Sequence, residues 1–187
     1  MGGVCVDPAV TEFGPAVEVT IRNDGAVPLF IPTQSNCADV LPFALFAGDA
    51  EIQVSPGQCD FPCGQALTGE CGCPAGCGDP SDVVQIFPGG VYVDTWSGVR
   101  VVPFELDAEC VAEDCGAMCT AQLQTPAGSY TMRSTATSAV QNCEPPCTCT
   151  ANADGWCMFE ADPEGAEAVV EAVLDYPAQT AAILTFE

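Results

Sequence analysis

The residues of this chain best suited to chemistry are its cysteines. There are 14 among 187 residues, an even number and a high proportion, which is typical of disulfide-stabilised proteins in an oxidising compartment. They occur in clusters between apolar segments that contain almost no cysteine. The positions are Cys5, Cys37, Cys59, Cys63, Cys71, Cys73, Cys77, Cys110, Cys115, Cys119, Cys143, Cys147, Cys149 and Cys157. This pattern predicts disulfides that hold long loops.

The spacing of the cysteines favours structural disulfides over two alternatives, a metal site of four thiolates and a redox-active pair. Close neighbours are separated by three residues or by one, as in Cys59 to Cys63 and Cys71 to Cys73, and no C-x-x-C pair occurs. Zinc ribbons and thioredoxin-like sites usually use C-x-x-C, because two intervening residues let both sulfurs converge. The pairing itself cannot be deduced from spacing.

Acidic side chains are a second group of candidate ligands, for calcium. The candidates are Asp107, Glu109, Glu113, Asp114 and Asp154. The first four surround two cysteines, and the fifth belongs to Asn152-x-Asp154-Gly155, which resembles a fragment of a calcium loop. Calcium takes six to eight oxygen ligands, and no complete calcium loop occurs in the chain. A solvated acidic face is the alternative, and no other cofactor is predicted.

Aromatic residues supply one candidate binding group. Trp96 and Tyr130 lie in segments that alternate like strands, so we predict that both belong to the core. Trp156 lies in a cysteine-rich loop next to Asp154-Gly155, where a core position is harder to predict. It is the candidate aromatic for ligand binding.

Missing residue types exclude most enzyme classes. The chain has no histidine and no lysine, so it lacks Ser-His and Cys-His nucleophile pairs, a Schiff-base lysine and histidine metal ligands. Asp94-Thr95-Trp96 comes nearest to an aspartic-protease motif, but tryptophan stands where that motif needs glycine. The sequence predicts a protein that is not an enzyme.

The charge of the chain limits its partners and location. The net charge is -23, with 26 acidic residues and three arginines, and nucleic-acid binding needs many cations against the phosphates. No apolar run reaches the roughly 18 residues of a transmembrane helix. Together with the high cysteine content, this predicts an extracellular or cell-surface location, with an export signal that has been removed.

Alternation of apolar and polar residues predicts the strands that must position these groups. Ala16 to Arg22 and Val27 to Pro32 flank Asn23-Asp24-Gly25 and are predicted to form a hairpin. Pro88-Gly89-Gly90 predicts a second hairpin between residues 83–87 and 91–96. A third hairpin is predicted from residues 42–47 and 51–54, around Gly48-Asp49.

The rest of the chain predicts one domain, residues 1–187, with cysteine-rich insertions at about 55–82, 107–124 and 141–160. The first insertion is rich in Gly and Pro and is predicted to be held by its own disulfides. The tail from Ala166 favours two strands, with a short helix up to Leu174 as the alternative. Short strands with frequent turns predict an all-β protein, an antiparallel immunoglobulin-like β-sandwich with long disulfide-stapled loops.

Three segments carry a family resemblance: VTIRNDGAVPLFI, IFPGGVYVDTWSG and TPAGSYTMR. Their order is similar to that in the bacterial intracellular proteinase-inhibitor-like domain, and disulfide-rich segments of bacterial surface lipoproteins are also similar. The matching positions are Asn23, Pro28, Pro88, Gly89, Trp96, Gly128 and Tyr130. The resemblance implies an immunoglobulin-like sandwich.

Together these features predict a binding or structural module outside the cell, stabilised by about seven disulfides. Its partner would be a protein or surface ligand that contacts the cysteine-rich loops. One alternative is a protease inhibitor that presents the loop from Cys59 to Cys77. Another is self-assembly into an extracellular filament, in which the tail Ala181 to Phe186 completes the sheet of a neighbour.

Overall fold

The described part of the chain folds mainly into β-strands. The computed structural model describes residues 5–10, 12–35, 38–57, 60–72 and 82–187. The elements are β1 (Val17–Asn23), β2 (Leu29–Pro32), β3 (Gln34–Ser35), β4 (Ala38–Asp39), β5 (Ala44–Ala47), β6 (Ala50–Ile52), α1 (Cys63–Thr68), β7 (Asp82–Ile86), β8 (Val91–Trp96), β9 (Val99–Glu105), β10 (Met118–Gln124), β11 (Gly128–Gln141), β12 (Trp156–Glu160), β13 (Asp162–Tyr176) and β14 (Ala181–Phe186). The predicted all-β class is confirmed.

The strands form two main sheets and two small pairs. In the three-stranded sheet, β1 lies between β14, to which it runs parallel, and β8, to which it runs antiparallel. The larger sheet has the order β12-β7-β2-β11-β5-β6, and β13 pairs with the opposite edge of β11. The pairs are β9 with β10 and β3 with β4.

The two main sheets contribute to one hydrophobic core, which we call the main core. Its buried residues are Val17, Val19, Ile21, Leu29, Ile31, Phe43, Leu45, Val84, Ile86, Tyr92, Trp96, Tyr130, Met132, Ala136, Leu174, Tyr176, Ala182, Leu184 and Phe186. The alternation in β1 shows why: Val17, Val19 and Ile21 are fully buried, whereas Glu18 and Arg22 are exposed. Because side chains of a strand point to opposite faces in turn, one face packs inward and the other meets solvent.

Two of the predicted hairpins are wrong in their pairing, although their strands are correct. β1 and β2 belong to different sheets, and so do β7 and β8. The Asp24-Gly25 and Gly89-Gly90 turns therefore carry the chain across the main core from one sheet to the other. The third predicted hairpin is confirmed, because β5 and β6 pair directly across Gly48-Asp49.

Asn23 explains why the first turn crosses between sheets. Its side chain is buried, and its Nδ2 donates hydrogen bonds to the carbonyl oxygens of Val27 at 2.8 Å and Ile86 at 2.9 Å. Its Oδ1 accepts a hydrogen bond from the N–H of Gly25, and its backbone N–H donates to Gly90. One side chain thus joins both crossing turns and satisfies polar groups that hairpin pairing would otherwise satisfy.

The tail of the chain is extended, as predicted, and the helical alternative for it is wrong. β13 pairs with β11 over its length, and β14 pairs with β1 of the same chain. The tail therefore completes its own sheet, and self-assembly through the tail stays a prediction. Within the described ranges, no helix is long and apolar enough to cross a membrane.

Candidate functional site

Disulfides join ten of the cysteines in the described part of the chain. The pairs are Cys5–Cys110, Cys63–Cys119, Cys71–Cys115, Cys143–Cys147 and Cys149–Cys157. No described cysteine is free. The remaining four, Cys37, Cys59, Cys73 and Cys77, lie outside the described residues. The predicted disulfide-rich character is confirmed.

Three of these disulfides define a region that we call the stapled region: α1, β9, β10 and residues 106–117. It has its own small core, the second core, built from Cys63, Ala66, Leu106, Cys119 and Ala121. The Cys63–Cys119 bond lies inside that core, with Cys63 fully buried. So small a cluster removes little apolar surface from water, and covalent bonds supply the stability that burial does not.

The bonds of the stapled region correct one expectation about the first insertion. Cys63 and Cys71 do not pair within residues 55–82 but reach Cys119 and Cys115 in the second insertion. The N–H of Ala112 also donates a hydrogen bond to the carbonyl of Ala66 in α1. Two insertions far apart in the sequence therefore fold as one unit.

A buried glutamine anchors the third cysteine-rich stretch to the larger sheet. Gln85 of β7 is 3% exposed, and its Oε1 accepts hydrogen bonds from Thr148 Oγ1 at 2.9 Å and from the N–H of Cys149 at 3.4 Å. The loop satisfies an amide oxygen that would otherwise be buried without a partner. The Cys149–Cys157 bond then fastens this loop to β12.

Trp156, the candidate binding aromatic, is half-buried at the start of β12. Its ring packs edge-on against Tyr92, with 4.9 Å between centroids and an interplanar angle of 87°. The preceding turn is fixed by Asn152, whose Oδ1 accepts hydrogen bonds from the N–H groups of Asp154 and Trp156. A Cβ at Gly90 would collide with the carbonyl oxygen of Gly155, so the two turns are in close contact. Trp156 is therefore held rigidly with part of its ring accessible.

Tyr92 sits beneath this tryptophan in an apolar setting. Burial raises the pKa of the Tyr92 hydroxyl above its usual value of 10.0, and the nearby charge of Asp94 raises it further. Both effects disfavour the phenolate, because it would be poorly solvated and would face a like charge.

The acidic calcium candidates are not brought together. Asp107, Glu109, Glu113 and Asp114 are exposed on the stapled region, and Asp154 belongs to the turn before β12. Nowhere in the described ranges do three or more acidic or thiol side chains form a group that could hold a metal ion. The oxygen of Asn152 is already used by backbone donors. This geometry gives the calcium prediction no support.

The two aromatics predicted to be structural do lie in the main core. Trp96 is 1% exposed, and its Nε1 donates a hydrogen bond to the carbonyl of Val99 at 2.8 Å. Tyr130 is also buried, and its hydroxyl donates to the carbonyl of Pro126 at 2.7 Å. That bond to a residue four positions earlier fixes the entry into β11.

An apolar groove of about 670 Å³ was not predicted from the sequence. Its lining includes Leu41, Phe43, Ile52, Val54 and Arg133. The Arg133 guanidinium stands 4.3 Å above the ring of Phe46. The lining residues come from four separate segments of the chain. Because only folding brings these segments together, no local sequence pattern predicts the groove.

Comparison with protein-family models, with curated proteins and with solved structures finds no match for this chain. The resemblance to the proteinase-inhibitor-like domain stays a prediction.

Proposed function

We propose that this protein is a non-enzymatic binding or structural module that works outside the cell or at its surface. The observation that carries the proposal is the pairing of every described cysteine in a disulfide. Such bonds persist in oxidising compartments and are rare where thiols are kept reduced. The absence of histidine and lysine from the sequence supports a role other than catalysis.

The cysteine-rich loops are the proposed contact surface. They hold accessible groups in fixed positions, because the bonds at Gln85 and Asn152 immobilise the loop that ends at Trp156. A rigid aromatic loses little entropy on binding and offers a large contact area. The two sheets that share the main core would serve as the scaffold, and we propose that they form an immunoglobulin-like sandwich. The Tyr130 hydrogen bond supports that part of the proposal.

The inhibitor alternative draws less support from the geometry. The ends of its loop, Cys59 and Cys77, lie outside the described residues. The described part contains α1, in which Cys63 and Ala66 are fully buried. A protease binds an exposed, extended segment, and a helix packed into a core does not offer one.

Mapping the disulfides of native protein tests the proposal. Digestion without reduction should release peptides that join Cys63 to Cys119 and Cys71 to Cys115. Maleimide added to the denatured but unreduced protein should label none of the ten described cysteines, and fractionation of source cells should place the protein outside the cytosol. Free thiols at these positions in native material, or a cytosolic location, would overturn the proposal.

A further inference from the structure

β13 forms an open edge of the larger sheet. Its partner in the described structure is β11, on one side only. The N–H of Asp175 donates to Gln179 Oε1 at 2.7 Å, and the carbonyl of Asp175 accepts from the N–H of Gln179 at 2.8 Å. The backbone groups of Asp175 therefore face away from β11. Because this direction alternates along a strand, four more residues present their backbone groups outward: Glu167, Val169, Glu171 and Val173.

The pairing of β11 is compatible with this direction. Thr131 and Arg133 lie opposite Val173 and Glu171 in the β11–β13 ladder, and both pair with β5 on their other side. Because the backbone groups of Val173 and Glu171 face away from β11, those of Thr131 and Arg133 face β5. Such an edge can accept another strand by hydrogen bonding.

The two sides of this edge differ in chemistry. On the outer face, acids alternate with valines that are 53% exposed at Val169 and 67% at Val173. The acids are Glu167, Glu171 and Asp175, and the guanidinium of Arg133 contacts Glu171 alone among them. On the inner side, a groove of about 210 Å³ with a mixed polar and apolar lining opens between β13 and the turn after β1. Its lining includes Val27, Leu29, Ala168, Val170 and Phe186.

A second copy of this chain is a poor occupant of the edge. Symmetric antiparallel pairing of two β13 strands sets either acid against acid or acid against valine, and no register sets an acid against a cation. Two chains that each carry a net charge of -23 also repel each other. Like charges across a new strand pair are destabilising, so the same acids exclude acidic strands and favour basic ones.

We propose that the β13 edge from Glu167 to Val173 binds an extended segment of a partner protein in which basic and apolar residues alternate. The segment adds a strand to the larger sheet. Its basic side chains lie over the acids of the outer face, and its apolar side chains enter the groove beside Val27 and Val170. No described disulfide involves β13, so this proposal stands or fails separately from the proposed function.

A synthetic peptide of alternating lysine and valine is the probe for this site. Binding to the oxidised, full-length protein should be saturable and should weaken as salt is raised. Hydrogen exchange should slow at the outward amides of Glu167, Val169, Glu171 and Val173, and should change little at Ala168 and Val170, which already pair with β11. A matched glutamate–valine peptide should not bind.

A backbone variant supplies the decisive control. Val169→Pro removes an outward N–H without removing a bond to β11, and it should weaken peptide binding by about tenfold or more. Val169→Thr keeps the N–H and the branched shape and should bind normally. If Val169→Pro does not fold, a lysine–valine peptide N-methylated on its pairing edge replaces it and should fail to bind the native protein. The proposal would be overturned if the acidic peptide bound equally well, or if Val169→Pro or the N-methylated peptide showed full binding. A dimer of the native protein that Val169→Pro abolishes would also overturn it.

Discussion

The main core contains no cysteine among its buried residues, whereas the second core is built around the Cys63–Cys119 disulfide. Nineteen buried residues from two sheets form the first, and five form the second, so the two differ greatly in the apolar surface that they remove from water. The difference indicates where covalent bonds are needed. The described disulfides lie in the stapled region and in the stretch from Cys143 to Cys157, where one fastens a loop to β12. Packing and buried polar anchors such as Asn23 hold the rest of the two main sheets.

Truncation of Trp96 should give the largest effect and tests whether packing alone holds the main core. Trp96→Ala removes a side chain that is 1% exposed and packs against Tyr176, with 5.0 Å between ring centroids. We expect a loss of about 3 to 5 kcal/mol in the free energy of unfolding. Denaturant unfolding with all disulfides intact measures it. Trp156→Ala, at a half-buried position, should cost clearly less, and similar costs for both would contradict the comparison.

Removal of the Cys63–Cys119 bond should give the next largest loss of stability. The loss should be limited to the stapled region. Because Cys71–Cys115 lies within the span of the Cys63–Cys119 bond, the latter closes only the segments 63–71 and 115–119, and loop closure of this size contributes about 3 kcal/mol. In the double variant Cys63→Ala/Cys119→Ala, amides of β9, β10 and α1 should exchange faster with solvent. Amides of β1 should keep their protection.

The matched control is the double variant Cys143→Ala/Cys147→Ala. That bond spans a sequence separation of only 4, so its removal should cost less and leave the stapled region unchanged. If loss of Cys63–Cys119 instead speeds exchange in both cores equally, the two regions are one cooperative unit.

Substitution of Asn23 should lower the free energy of unfolding less than loss of Trp96 or of the Cys63–Cys119 bond. It tests whether a buried amide stabilises the sheets as disulfides stabilise the loops. Asn23→Ala leaves the carbonyls of Val27 and Ile86 without their side-chain donor. We expect a loss of about 2 kcal/mol, because the carbonyl of Ile86 is buried and that of Val27 is partly buried. Asn152 is the control, since its side chain makes two hydrogen bonds to the backbone but is exposed. An equal loss from Asn152→Ala would show that burial is not the cause.

Asn23 also shows why the strands were predictable and their partners were not. The alternation of β1 and the turn at Asp24-Gly25 are local signals, and they correctly place two strands and a turn. A turn between paired strands and a turn that crosses to another sheet share those signals. The choice depends on the bond from Asn23 to Ile86, which lies 63 residues away in the sequence.

The features of the candidate site likewise divide into those with a local sequence signal and those that depend on long-range pairing. The number and spacing of cysteines predicted disulfides, because sulfur chemistry depends on residue type. The partner of Cys63 could not be predicted, since it lies in a different insertion. The open edge of β13 and the groove near Arg133 exist only after distant strands pair, so the residues that form them carry no local signal.

Tyr92→Phe should give the smallest effect on stability. It tests whether a residue of the main core makes stability depend on pH. The pKa of Tyr92 is raised above 10.0 by burial and by Asp94, so the folded protein holds this proton more tightly than the unfolded chain. The contribution to stability is fully present below pH 10 and is lost as the pH rises from there through the folded-state pKa. The chain has no lysine to titrate in this range. Melting temperatures from pH 8 to 11 should therefore fall more steeply above pH 10 in the native protein than in Tyr92→Phe, and parallel curves would show that burial of Tyr92 does not couple to stability.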